Sequence, residues 1–214
     1  MAEQPSPRPR KERKENADRR RQQLLDATWR SIAQNGLGRT TLATVAAQAE
    51  LSQGVAVFYF KSKIGLLTEA LRDHYARYQA TWERALEEAG DDPRERLIAL
   101  IRADFDPDIC NPEALSIWFA FWGEQKFTPD YAAISAQFDA ARNDAIREAC
   151  AALMEGAPED EINRTGDWID TFSDGCWQRL HVLPNSYSAG DCLDETLALA
   201  ARLIPQIATR LMPR

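Results

Sequence analysis

The sequence predicts an all-α protein of about nine helices. Apolar residues recur at helical spacing through nearly the whole chain, and clusters of Gly, Pro, Asn and Asp divide it into helix-length pieces. No stretch alternates as a strand would, and no fixed-period repeat is visible. A chain of 214 residues is long enough to bury a real core.

Taken in order, residues 1–16 are rich in Pro, Arg and Lys without apolar periodicity, and are expected to be a disordered basic tail. Leu24, Leu25, Thr28, Trp29 and Ile32 then mark a helix that stops at "QNGLG". Leu42, Val45, Ala46 and Ala49 form the stripe of a short helix that Thr40 or Thr41 can cap. A tight turn at Glu50–Leu51 leads to a second short helix, with Ser52 suited to its N-cap. A longer helix fits 62–89 and stops at "GDDP"; further helices fit 93–105, 112–125, 129–154, 159–183 and 191–212. Pro205 lies inside the last of these and should kink or shorten it.

Charge is unevenly spread. Residues 1–63 hold 12 Lys/Arg against 6 Asp/Glu, although the whole chain carries −7. A basic N-terminal third suits a polyanion-binding face, and charge alone leaves a solubilising tail as the lesser alternative. No apolar run approaches the roughly 20 residues of a membrane span, and the basic start is not followed by an apolar signal segment. Cys110, Cys150, Cys176 and Cys192 form no CxxC pair and are expected to be reduced, mostly buried thiols of a cytoplasmic protein. With only His74 and His181 to add nitrogen ligands, no metal site and no cofactor are expected. GxSxG, HExxH, P-loop and GxGxxG patterns are absent, which argues against an enzyme.

The densest signal is "TLATVAAQAELSQGVAVFYF", residues 41–60. Each helix is too short to be stable alone, and small Ala46 and Ala49 let the two axes cross closely while Leu51 and Val55 cover the first stripe. This is a helix-turn-helix pattern, whose second helix would present its N-terminal side chains to the DNA major groove. The apolar pattern would also suit a plain αα-hairpin, which leaves the local basic balance unexplained.

Residues 41–67 resemble the DNA-binding domain of the TetR family, with Thr41, Val45, Ala46, Ala49, Ser52, Gly54, Tyr59, Phe60, Lys63, Leu66 and Leu67 in the family's pattern. Two positions depart from it. Glu50 stands where Gly is usual, so it needs a left-handed backbone costing about 1 kcal/mol. Val57 replaces a phosphate-contacting Tyr, leaving more of that role to Tyr59. The resemblance implies a DNA face built from Arg39, Thr41, Ser52, Gln53, Gly54, Val55, Phe58, Tyr59 and Lys63. Gln53 could read adenine, Val55 could pack on a thymine methyl, and Thr41, Tyr59 and Lys63 would hold phosphates. It also implies residues 17–65 as the DNA-binding domain and 66–214 as a helical ligand-binding and dimerisation domain. The partners implied are double-stranded operator DNA, a small-molecule inducer and a second copy of the chain, with no membrane. Leu193, Leu197, Ala200, Leu203, Ile204 and Ile207 would line a four-helix homodimer interface.

In the C-terminal part, "IWFAFWGEQKF" and "WIDTFSDGCWQRL" are similar to the BetI-type branch, repressors of choline-to-betaine genes. Trp118, Phe121, Trp122 and Gln125 share one helical face, with Glu124 at its edge. Asp170, Asp174 and Trp177 share another. Such aromatics could be ordinary core, or a cage for a quaternary ammonium closed by a carboxylate. The resemblance implies a choline-like inducer held by Trp118, Phe121, Trp122, Glu124, Tyr131, Asp174 and Trp177, with Trp168 as an alternative ring. The alternatives are a TetR-type regulator of efflux or catabolism genes answering to another ligand, and a constitutive DNA-binding protein with no cavity.

Overall fold

The computed structural model describes residues 10–207, and among them the protein is all helical. Its helices are α1 (Arg10–Arg39), α2 (Leu42–Gln48), α3 (Gln53–Phe60), α4 (Lys63–Ala89), α5 (Pro93–Asp104), α6 (Pro112–Glu124), α7 (Pro129–Leu153), α8 (Glu159–Val182) and α9 (Ala189–Leu203). None of the described helices is long and apolar enough to cross a membrane. Part of the expected tail is corrected: α1 begins at Arg10, because 10–16 extend the register of a long charged helix instead of lying outside it. Residues 1–9 of the expected tail and 208–212 of the expected last helix lie outside the described residues.

The chain divides into two compact units, one ending at Asp73 and the other starting at His74. The division falls inside α4, later than the 65/66 boundary read from the sequence. Leu66 and Ala70 explain the shift, since both are packed into the core of the first unit. That core joins Leu24, Leu25 and Ala27 of α1 to Val45 and Ala46 of α2 and Ala56 and Phe60 of α3.

Local signals fix the ends of these helices. Thr41 caps α2 with a reciprocal box: its hydroxyl accepts from the Thr44 amide at 3.1 Å, and its own amide donates to the Thr44 hydroxyl at 2.9 Å. Ser52 occupies the N-cap position of α3, yet its side chain makes no capping bond. Glu50 takes the left-handed backbone its position demands, with φ 56°. Gly65 has no alternative, because a Cβ there would meet the Phe60 carbonyl oxygen at 2.3 Å.

In the second unit α7 packs on α8 and α5, and α8 on α9 and α6. Gly166 permits the close α7–α8 crossing, since a Cβ would lie 3.3 Å from Ile146 Cγ2. The last helix departs from expectation. It ends at Leu203, and Ile204 is extended (φ −127°, ψ 88°), as a residue before proline prefers. Leu197, Ala200, Ile204 and Ile207 are buried within the chain itself, so most of the stripe assigned to a dimer interface serves the internal core. The apolar groove left open lies between α8 and α9, on Trp168, Phe172, Leu199 and Leu203.

Candidate functional site

The first unit offers one face of α3. Ser52, Gln53, Gly54, Val57 and Phe58 are exposed, Phe58 to 68%, whereas Ala56 and Phe60 turn into the core. Val55 is half-buried and packs on that core, so it has less freedom to reach a base than the sequence suggested. Tyr59 is half-buried too and stands edge-on to Phe58 at 5.2 Å. Thr41 is tied into the cap described above. Arg39 is exposed, its Nε donating to the Asn35 carbonyl at 3.2 Å, and Lys63 Nζ donates to the Gly38 carbonyl at 2.7 Å. Both cations therefore stand near the ends of short helices with donors left over for phosphate. Sequence reading passed over Lys61, exposed at the end of α3 with φ 64° and its Nζ 2.7 Å from the Phe58 carbonyl. Its position directly after the second short helix was the available signal.

Gly54 is informative for what it does not do. Its φ lies outside the left-handed region, and a Cβ would meet only Ser52 Oγ at 3.8 Å. Nothing among the described residues requires glycine there, and in a helix glycine costs about 1 kcal/mol against alanine. An external surface approaching the α3 backbone would account for it.

The second unit contains a cavity of about 280 Å³. Trp118 and Trp122 from α6 and Trp177 from α8 form its wall, joined by Tyr75 and Tyr78 from α4. Trp177 stacks at 5.8 Å on Trp118 and at 6.3 Å on Trp122, with interplanar angles of 29° and 19°. Asp139 and Arg142 of α7 and Asp170 and Asp174 of α8 complete the lining.

Behind the wall, buried Asp104 accepts from Arg142 Nη2 at 2.6 and 2.7 Å and from the Tyr78 hydroxyl at 2.6 Å. Arg142 also pairs with Asp170. Burial pushes the Asp104 carboxyl upward, against Arg142 and Tyr78, which favour its charge. Burial likewise opposes the charge of Arg142, but Asp104, Tyr78 and Asp170 outweigh it and keep the guanidinium protonated. Asp139 and Asp174 have no ion-pair partner among the described residues. Desolvation, then the neighbouring Asp170, pushes Asp174 up to about 7 and Asp139 up to about 6. Both shifts mark a site whose carboxylates outnumber its cation Arg142.

Of the sequence candidates, Trp118, Trp122, Asp174 and Trp177 meet at this cavity. Four others do not. Phe121 is fully buried and meets buried Tyr131 edge-on at 5.1 Å, so these two rings are core. Glu124 is exposed at the end of α6. Trp168 lies on the α8–α9 groove instead. The sequence reading missed Tyr75, Tyr78, Asp139 and Arg142. Their signals were the three-residue spacing of Tyr75 and Tyr78 on α4 and of Asp139 and Arg142 on α7. Among the described residues no group of three or more His, Cys, Asp or Glu could hold a metal ion, and all four cysteines are free and buried.

Residues 24–70 match the family model of bacterial regulatory proteins of the tetR family, and residues 93–206 match that of the BetI-type transcriptional repressor C-terminal domain. The HTH-type transcriptional regulator BetI of Paraburkholderia xenovorans is 36% identical over 162 residues, which cover 75% of this chain and 80% of that protein. A transcriptional regulator from Pseudomonas aeruginosa shares the fold with a TM-score of 0.79 at 20% identity, over 91% of this chain and 95% of that one. One from Saccharomonospora viridis, solved in complex with choline, has a TM-score of 0.71 at 19% identity, over 84% and 94% of the two chains.

Proposed function

The chain belongs to the TetR family of bacterial regulatory proteins, with a BetI-type repressor C-terminal domain, and on that premise we propose that choline or a similar quaternary ammonium releases it from its operator. The observation that carries this reading is the cavity, whose lining combines stacked indoles with two carboxylates that have no ion-pair partner among the described residues. A trimethylammonium group has no N–H to donate, so it is recognised by aromatic faces and by diffuse negative charge. Each desolvated ring contributes about 2 kcal/mol. That a structurally similar regulator was solved with choline adds support.

On the DNA side, Gln53 and Phe58 are assigned to base edges, and Thr41, Tyr59, Lys61 and Lys63 to phosphates. The helix-turn-helix acts in pairs, and the α8–α9 groove around Trp168 and Phe172 is assigned to the partner copy. The gene control inferred is that of glycine-betaine synthesis. Titrating choline against tryptophan fluorescence tests the ligand assignment. A saturable change is expected in the wild type and should be lost in Trp177→Ala. Absence of a saturable change, with one produced by an unrelated lipophilic compound, would move the protein to another branch of regulation.

A further inference from the structure

We propose that Asp104, which does not line the cavity, sets its selectivity: by cancelling the charge of Arg142 it makes the cavity a site for ammonium cations and not for ammonium compounds that also carry a carboxylate. The inference rests on the cation-binding reading above and assigns a positioning residue to the same site.

Asp104 ends α5 and is 1% exposed. Its side chain binds Arg142 from α7 and Tyr78 from α4, and its backbone carbonyl accepts the Trp177 indole N–H from α8 at 2.8 Å. Three side chains of the cavity wall, on three different helices, are thus fixed by one residue outside it. A buried ion pair contributes little to stability against an apolar replacement, so its value lies in what it specifies. Here Asp104 takes Arg142 Nη2 with both carboxylate oxygens while Nη1 goes to Asp170, so the guanidinium, which would otherwise be the cavity's carboxylate receptor, is already engaged.

The groups facing Asp104 support this arrangement. They are Tyr78 on α4, Cys110 after α5, Arg142 on α7, and Asp170, Ser173 and Asp174 on α8, with Asp139 of α7 facing Asp174. Burial pushes the Cys110 thiol up to about 12, so it stays neutral. Asp104 and Asp170 raise Asp174 while Arg142 lowers it. Loss of the Asp104 charge leaves Arg142 with Asp170 as its one ion-pair partner among the described residues, so its less compensated charge pulls down the titration of Asp174 and attracts a ligand carboxylate.

The test uses the full chain with Asp104→Asn, which keeps side-chain shape and leaves the backbone bond to Trp177. Choline and glycine betaine are titrated by calorimetry at pH 8, and tryptophan fluorescence of the ligand-free protein is followed against pH. In Asp104→Asn the choline Kd should rise about tenfold while that of glycine betaine holds or falls, and the fluorescence midpoint should move to lower pH. The double variant Asp104→Asn/Arg142→Met removes both charges; its preference for choline should be at least that of wild type, with the midpoint restored. An equal loss for both compounds, with an unmoved midpoint, would overturn the proposal and assign Asp104 to packing alone. If wild type bound neither compound, the choline reading would fail, and the order of the midpoints would still decide the role of Asp104. If Asp104→Asn failed to fold, a choline preference in the double variant below that of wild type would overturn the proposal, and one at or above it would support it.

Discussion

Lowering the pH from 8 to 5 should weaken choline binding by one to two orders of magnitude, as an upper range worked from two carboxylates. Choline carries no group that titrates in this interval, so any dependence belongs to the protein. Asp174 titrates near 7 and Asp139 near 6, both raised first by desolvation and then by repulsion from Asp170. At pH 8 both are mainly ionised; at pH 5 Asp174 is ionised in about one molecule in a hundred and Asp139 in about one in ten. If the cation required only the Asp174 charge, affinity would fall about 90-fold, and a residual attraction from Asp170 limits the loss. Stability of the ligand-free protein should run the other way. Both folded-state pKa values lie above the unfolded carboxylate value near 3.9, so the folded state binds more protons, and stability declines as pH rises from about 4 to 7. Saturating choline should flatten that decline, because it favours the ionised forms. Calorimetry from pH 5 to 8, in buffers of different ionisation enthalpy, would report both the affinity and the protons released. A Kd constant within twofold over the interval, with no proton release, would refute the assignment of these carboxylates to the cation.

Three further outcomes follow from the geometry. Gly54→Ala should stabilise the first unit by up to about 1 kcal/mol in urea unfolding while weakening operator binding in a mobility-shift assay, since only an outside surface needs the missing Cβ. Glu50→Gly should leave stability unchanged or raise it by about 1 kcal/mol, because φ is 56° there; a clear loss in the same unfolding assay would reveal a contact made by the Glu side chain. Phe121→Ala should cost about 3–5 kcal/mol in thermal unfolding, as a fully buried ring does, with a much smaller effect on choline affinity than Trp177→Ala.

How much of this was legible in the sequence depended on the range of the interactions. The Thr41 cap, the left-handed Glu50 and the end of α9 before Pro205 are decided within a few residues, and the local pattern fixes Glu50, narrows the cap to Thr40 or Thr41 and marks Pro205 as a break without choosing between a kink and a stop. Helical periodicity also placed Trp118 beside Trp122. It could not show that Phe121, on the same broad face, is rotated into the core against Tyr131. Nor could it show that Leu197, Ala200 and Ile204 are consumed inside the chain, since one apolar stripe looks the same whichever neighbour covers it. Asp139 and Arg142 were harder still. Asp and Arg spaced along an alanine-rich helix read as a solvated face until the buried Asp104 of another helix is seen to claim the arginine.

The central claim is that a choline-like cation in this cavity controls DNA binding, and anisotropy of a labelled fragment from the protein's own promoter region tests it most directly. Choline should release the fragment from wild type saturably, at concentrations matching the fluorescence titration, and should fail to release it from Trp177→Ala, which still binds the fragment. Release of both proteins at the same choline concentration, or of neither despite saturated binding to wild type, would contradict the account.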